Sequence, residues 1–401
     1  MLFAKIRYRI LAPWRQVNFL FLVVCLCTLA GCIEEFEADV PAEETSLLVV
    51  EGTICSSGLN TFVLSRTTSL NSQNDPQKIS NAKVSVRGSD GSEYVTEGYN
   101  GQYYCWIDTL YSDKEYWLHI ETDGDVYESE PQHPLRTEGI AELSGVQHTP
   151  ESDIDILVTT DEPADTTKTN YYLWKYLETW EVHPVHTTFL YFDIPSMSPV
   201  YRPNQFPERG WKDATDETIL VGASTNYKNQ HIKKYRVYGI KRNNERIYYR
   251  YTTLLNQRAI TKAEYEYQLA RRQAASEMGG LFTPLPSVLP SNIHCLTSDK
   301  RVIGFVGCSL NTTERRIFLD ASDYSIDHPK IDALEWHENC DVILCCQIAS
   351  AGMYLCVWED HGQVAPGLVT AWTTREYLDV TCQGAYIDMP WYWEERITIE
   401  N

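Results

Sequence analysis

From residue 47 onward the chain is cut into short β-prone runs by turn chemistry, and that rhythm restricts it to folds made of packed sheets. Residues 47–54, 61–65, 83–86, 94–96, 103–107, 116–121 and 126–129 are rich in β-branched and aromatic side chains, which suit a pleated, half-buried surface. Between them stand Ser56-Ser57-Gly58, Ser89-Asp90-Gly91, Asn100-Gly101 and Asp123-Gly124, the residue types that close tight turns. Seven strands at this spacing predict a small sandwich over residues 46–136. With 43% hydrophobic and 12% aromatic residues, the chain has ample material for cores, and disorder is expected only in a tether ahead of that sandwich.

A second, larger β-rich region is expected over 137–401. Strand-like runs occur at 154–160, 171–180, 219–222 and 235–251, too many residues for one minimal sandwich, so the region is either a sandwich with insertions or two subdomains. Pro184, Pro195, Pro199, Pro203 and Pro207 crowd residues 183–212; each removes a ladder donor, which predicts an exposed loop there. One helix is predicted near 261–278. Thr261 can cap it, Glu264 sits three residues later as in a capping box, and Gly279-Gly280 stops it. Spacing of Tyr265 and Leu269 gives it an apolar face, so it is expected to pack on a sheet as a clasp.

The N-terminus reads as an export signal over residues 1–31. Lys5, Arg7, Arg9 and Arg15 form a basic front, followed by an apolar run at 19–27 that is too short to span a bilayer as a stable helix, which needs about 20 residues. The run ends in Leu29-Ala30-Gly31-Cys32, which resembles the lipobox of bacterial lipoproteins and predicts cleavage before Cys32 with acyl chains on its thiol. Residues 32–45 form an acidic tether, and Glu34, Glu35 and Glu37 resemble the surface-export signal of Bacteroidota lipoproteins. The expected location is therefore the outer membrane, lipid-anchored and facing the exterior. A formal charge of −21 repels both nucleic acid phosphates and anionic lipid, so nucleic acid is not expected as a partner and the membrane is expected only through the lipid anchor.

Of 12 cysteines, Cys25 and Cys27 leave with the signal and Cys32 carries lipid, so nine remain. An oxidising compartment predicts some disulfides. Cys295 and Cys308 are close in sequence, yet a hairpin near Asp299 would place them too far apart along the ladder. Cys55 and Cys105 either bridge the sheets of the first sandwich or are two buried thiols.

Two resemblances sharpen the expected fold. Val50-Glu51-Gly52-Thr53-Ile54, Ile79-Ser80-Asn81-Ala82-Lys83-Val84-Ser85-Val86, Asp90-Gly91, Gly101-Gln102-Tyr103 and Tyr116-Trp117-Leu118-His119-Ile120 resemble the carboxypeptidase-regulatory, immunoglobulin- and transthyretin-like sandwich, a rigid adaptor. Tyr171-Tyr172-Leu173-Trp174, Glu178-Thr179-Trp180, residues 247–251, Ala263-Glu264-Tyr265, Gly279-Gly280-Leu281-Phe282, Ser291-Asn292-Ile293, Val302-Ile303-Gly304-Phe305 and Arg315-Arg316-Ile317-Phe318 resemble the domain-of-unknown-function family 4249 of Bacteroidota lipoproteins. That resemblance implies an accessory role beside a TonB-dependent outer-membrane transporter. Members tend to end in a cysteine pair near Lys-Pro-x-Phe-Trp. Here Cys382 stands alone before Met389-Pro390-Trp391-Tyr392-Trp393.

No serine-hydrolase elbow, zinc-protease helix motif or phosphate-cradling glycine loop occurs, and neither a catalytic residue nor a cofactor is expected. Asp153 with Asp155, or Glu394 with Glu395, could serve a surface hydrolase as acid and base, the alternative to a binding protein; a structural adhesion subunit is a third reading. His337, Cys340, Cys345 and Cys346 hint at metal spacing without a second ligand clip, and residues 342–348 read more simply as a buried strand with disulfide-forming edges, so no metal is expected. Trp211, Trp391 and Trp393 are the candidates for exposed stacking on a ligand. Asp108-Thr109-Leu110 and Asp165-Thr166-Thr167 resemble O-glycosylation acceptors at Thr109 and Thr166.

Overall fold

The computed structural model describes residues 46–67, 77–215, 218–277, 289–360 and 368–393. Cys32, the tether acids Glu34, Glu35 and Glu37, and Glu394 and Glu395 lie outside the described residues. The fold is mainly β, with 24 strands and 2 α-helices among the described residues.

The first sandwich packs two sheets face to face. One runs in the order Val302–Ser309, Leu48–Cys55, Gly58–Arg66, Gln102–Ile107, Glu97–Tyr99, and the other Ile293–Cys295, Asp125–Ser129, Tyr116–Thr122, Lys83–Gly88, Glu93–Val95. Period-two alternation turns Leu48, Val50, Ile54, Phe62, Leu64, Tyr103 and Ile107 inward onto Val84, Val86, Leu118 and Ile120. Two of its strands come from far along the chain. Val302–Ser309 lies parallel to Leu48–Cys55, from Leu48 opposite Val302 to Cys55 opposite Ser309, and Ile293–Cys295 pairs antiparallel with Asp125–Ser129. A boundary at residue 136 therefore does not separate two cores. A parallel partner requires a long crossover, and here the second sandwich is that crossover. Asn292 fastens the returning segment, its side chain accepting from the Val306 amide and donating to the Val306 carbonyl, each at 2.9 Å.

The second sandwich sets Gly210–Thr215, Tyr171–Val182, Arg250–Ile260 and Thr313–Asp320 against the three-stranded sheet Ile140–Gln147, Ile154–Thr160, Tyr235–Ile240. Along Tyr171–Val182 the even-numbered Tyr172, Trp174, Tyr176, Trp180 and Val182 face Ile154, Ile156, Val158 and Val237. Glu178 shares that inner face. Its carboxylate accepts from the Tyr251 hydroxyl at 2.6 Å and pairs with Arg246 at 2.6 Å, which is how a charge is kept in a core.

Helix α1, Lys262–Glu277, starts at the predicted cap, with the Glu264 amide donating to the Thr261 hydroxyl at 3.1 Å, while the Glu264 carboxylate pairs with Arg258 rather than closing a capping box. It touches both sandwiches: Tyr265 packs on Tyr171, Tyr267 on Phe305, and Arg271 pairs with Glu51 at 2.8 Å.

A third, smaller core departs from the sequence expectations. Glu335–Cys340, Leu368–Thr373 and Tyr354–Asp360 form a small sheet, and residues 342–348, expected as a strand, belong to a second helix, α2, Val342–Ser350. An unbroken apolar run carries no period that distinguishes strand from helix. The deciding signal is Asp341, which caps α2 by accepting from the Leu344 amide at 2.7 Å. Residues 183–212, expected as an exposed loop, hold the hairpin Leu190–Asp193/Ser198–Tyr201. Its Phe192 enters the small core with Cys345, Leu355 and Trp372. Pro199 is tolerated because the hairpin has only two strands and needs no donor on its outer edge.

Candidate binding groove

At one end of the second sandwich, the chain leaving Tyr171–Val182 turns outward at His183-Pro184, beside the short 3₁₀ turn Glu245–Ile247 that leads into Tyr248 and Tyr249. Two adjoining depressions form there, of about 380 and 410 Å³, and both are lined by His183, Tyr248 and Tyr249. The first adds Glu181, Arg209, Arg250, Asp320 and Trp393; the second adds His186, Glu245, His328 and Lys330.

Ring faces dominate the shared wall. His183 stacks on Tyr249 with centroids 3.9 Å apart and planes 10° from parallel, and His328 lies 4.9 Å from the Tyr248 ring. Glu181 holds His183 by accepting from its Nε2–H at 2.6 Å, which fixes the ring's orientation. Arg250 pairs with Asp320 at 3.3 Å and lies over the rings of Phe318 and Trp393. Burial raises the Tyr249 hydroxyl above its ordinary range, and the nearby Glu181 charge adds to this, so the phenol remains a neutral donor. Flat aromatic faces joined to a few fixed carboxylate and guanidinium groups suit a polar ligand with a ring that can stack.

The segment Val380–Gln383 and the residues after it close this end. Asp379 is almost fully buried and accepts from the Thr381 amide and hydroxyl at 3.0 and 2.6 Å and from Arg375 at 2.8 and 2.9 Å. Burial opposes its charge, but these donors outweigh burial and hold its carboxyl below the usual aspartate range. A lowered folded value means that its stabilisation is complete above the unfolded pKa of about 3.9 and disappears as pH falls through the folded one. Acid titration followed by tryptophan fluorescence is therefore expected to show a transition below about pH 4. In Asp379→Asn that transition should be missing and the segment already loosened at neutral pH; an unchanged acid limb would refute the assignment.

The sequence-predicted residues scatter. Trp211 and Trp393 are 2% and 5% exposed and meet edge to face at 6.1 Å, so neither is a free stacking platform, because Tyr386 bridges to Trp211 and Trp393 packs on Trp211 and Phe318. Trp393 nevertheless lines the groove. Trp391 is 93% exposed. Thr109 and Thr166 are exposed in loops, where a modifying enzyme could reach them. Asp153 accepts from the Arg242 amide at 3.1 Å and Asp155 pairs with Arg236 at 2.5 Å, so both serve the local structure. Among the described residues, no three His, Cys, Asp or Glu side chains gather as metal ligands.

The cysteines Cys55, Cys105, Cys295, Cys308, Cys340, Cys345, Cys346, Cys356 and Cys382 are free thiols. Cys55 and Cys105 cannot bridge the sheets, because their strands belong to the same sheet. Burial pushes the Cys105 thiol up to about 11 and Cys308 to about 12, which makes both poor nucleophiles.

Sequence reading missed the groove's principal residues. The available signal was the pair Tyr248-Tyr249 one short turn after Asn243-Asn244, with Glu245-Arg246-Ile247 between them. Residues 33–315 match the family described as a domain of unknown function (DUF4249). No curated protein matches the chain.

Proposed function

We propose, from the premise that this chain belongs to the DUF4249 family, that it is a non-catalytic binding lipoprotein of the outer-membrane surface, serving a TonB-dependent uptake system with a saccharide-type nutrient as its ligand. The observation that carries the ligand class is the near-parallel His183–Tyr249 stack at the junction of two depressions, flanked by Glu181 and by Arg250 with Asp320. A sugar presents an apolar ring face to such a wall and hydroxyls to the charged groups around it. Anchoring is supported by Leu29-Ala30-Gly31-Cys32 and the acids Glu34, Glu35 and Glu37. The family match starts at residue 33, directly after the proposed lipidated cysteine.

Three measurements test this reading. Cys32→Ala should move the protein from the envelope to the soluble fraction, and continued envelope fractionation would remove the anchor. Titration of a glycan panel should find a ligand whose affinity falls at least about tenfold in Tyr249→Ala, equivalent to about 1.4 kcal/mol. Binding that ignores this substitution would place the ligand elsewhere. Co-purification from detergent-solubilised envelopes addresses the transporter; its absence from the isolated complex would remove that partner.

A further inference from the structure

The cysteine cluster near residue 340 is not explained by the groove, and its geometry is specific. Cys340 ends the strand Glu335–Cys340, and Cys345 lies one turn into α2. Their sulfurs are 2.9 Å apart, closer than two unbonded thiols normally rest, and both residues are buried in the small core beside Phe192, Leu355 and Trp372. Neighbouring thiols are placed differently: Cys346 is only half-buried, while the Cys356 sulfur meets the Tyr354 carbonyl at 3.9 Å.

We propose that Cys340 and Cys345 are a disulfide-forming site, closed by thiol–disulfide exchange with an oxidised dithiol protein or small-molecule disulfide. In the first step one thiolate attacks the oxidant's disulfide, giving a mixed disulfide and releasing one reduced sulfur. In the second, the other cysteine's thiolate attacks the protein sulfur of that bond and expels the oxidant's second sulfur. Two thiol protons and two electrons leave the protein, and the oxidant departs fully reduced. The sulfurs, 2.9 Å apart, need to approach by less than about 1 Å to reach the bonded separation of about 2.05 Å.

Timing follows from burial. Desolvation, reinforced by the adjacent Cys340 thiol, pushes Cys345 up to about 12, so little thiolate exists once the core has closed. Exchange therefore belongs to folding, while the α2 segment is open, and the closed core then shields the bond from reductants. The bond would tie the α2 start to the small sheet that receives the Phe192 hairpin. That this happens in the cell rests on the export reading, because a reducing cytosol would keep both thiols free.

The test refolds the full mature chain in a glutathione redox buffer, then denatures it, alkylates remaining thiols and maps peptides without reduction. The expected product is one peptide cross-linked between Cys340 and Cys345, lighter than the reduced form by two hydrogens, with the other thiols alkylated. Cross-linking of Cys345 to a different cysteine, or full alkylation of both, would overturn the proposal. Cys346→Ser should leave the cross-link intact, and its loss there would assign the bond to Cys346. The same map on protein isolated from envelopes separates the two ideas: free thiols there, with the bond formed in the glutathione buffer, would count against export and not against the pair.

Discussion

Glu264→Ala is expected to destabilise the chain by about 3–5 kcal/mol, among the largest effects of any single polar substitution. The Arg258 and Glu264 side chains are 8% and 3% exposed and form a two-pronged ion pair, with Arg258 Nη1 donating to Glu264 Oε2 at 3.2 Å and Nη2 to Oε1. Arg258 comes from the strand Arg250–Ile260 of the second sandwich, and Glu264 from the first turn of α1, whose Tyr267 and Arg271 reach the first sandwich. Removing the carboxylate strands a guanidinium where water cannot solvate it. It also takes away an acidic group from the helix N-terminus, where it offsets the helix dipole. Removing both charges is a different experiment. In Arg258→Met/Glu264→Leu no ion is left unpaired, and stability should return to near that of the parent or exceed it. Urea unfolding monitored by tryptophan fluorescence measures both. The exposed pair Lys262–Glu266 on the same helix is the control, since its loss should be barely detectable. If the Glu264 and Glu266 substitutions prove equally mild, α1 is not held by a buried ion pair.

Much of this architecture was legible residue by residue, and the failures share a cause. The strands of the first sandwich follow from period-two alternation and turn residues, and α1 follows from Thr261 and Glu264, because those signals act within a few residues. The completion of the first sandwich by Val302–Ser309 was hidden, since parallel pairing across an entire intervening sandwich leaves no local mark. α2 was misread because nine apolar-rich residues fit either period, and the polar residue that decides, Asp341, lies outside the run. The tryptophans show the same limit. Composition marks Trp211, Trp391 and Trp393 as alike, whereas the fold buries two and exposes one. The first depression of the groove is assembled from five separated stretches around residues 183, 209, 248, 320 and 393, so no single window of sequence contains it.

Gly304→Ala should be as costly as loss of the buried ion pair, for a reason that belongs to backbone alone. Gly304 sits at φ +138°, and a β-carbon there would lie 1.9 Å from the Val50 carbonyl oxygen and 3.0 Å from the Val50 nitrogen. Neither atom can retreat without breaking the parallel ladder in which Val50 is Gly304's direct partner. Backbone strain at a positive φ costs about 1–3 kcal/mol, and overpacking against an immovable neighbour adds about as much again. The expected total is about 3 kcal/mol or more. Gly91→Ala separates the two contributions, because Gly91 is also at positive φ, +84°, but an added β-carbon there meets nothing within 4 Å. It should show the strain cost only. Hydrogen exchange should locate the damage: amides of Val49–Ile54 and Ile303–Cys308 should lose protection together, and the buried Cys308 thiol should become open to alkylation. If Gly304→Ala and Gly91→Ala cost the same, and Cys308 stays protected, then the strand after residue 301 does not lie against the strand after residue 47, and the two sandwiches are not interlocked in the way that makes one element of the first depend on the folding of the second.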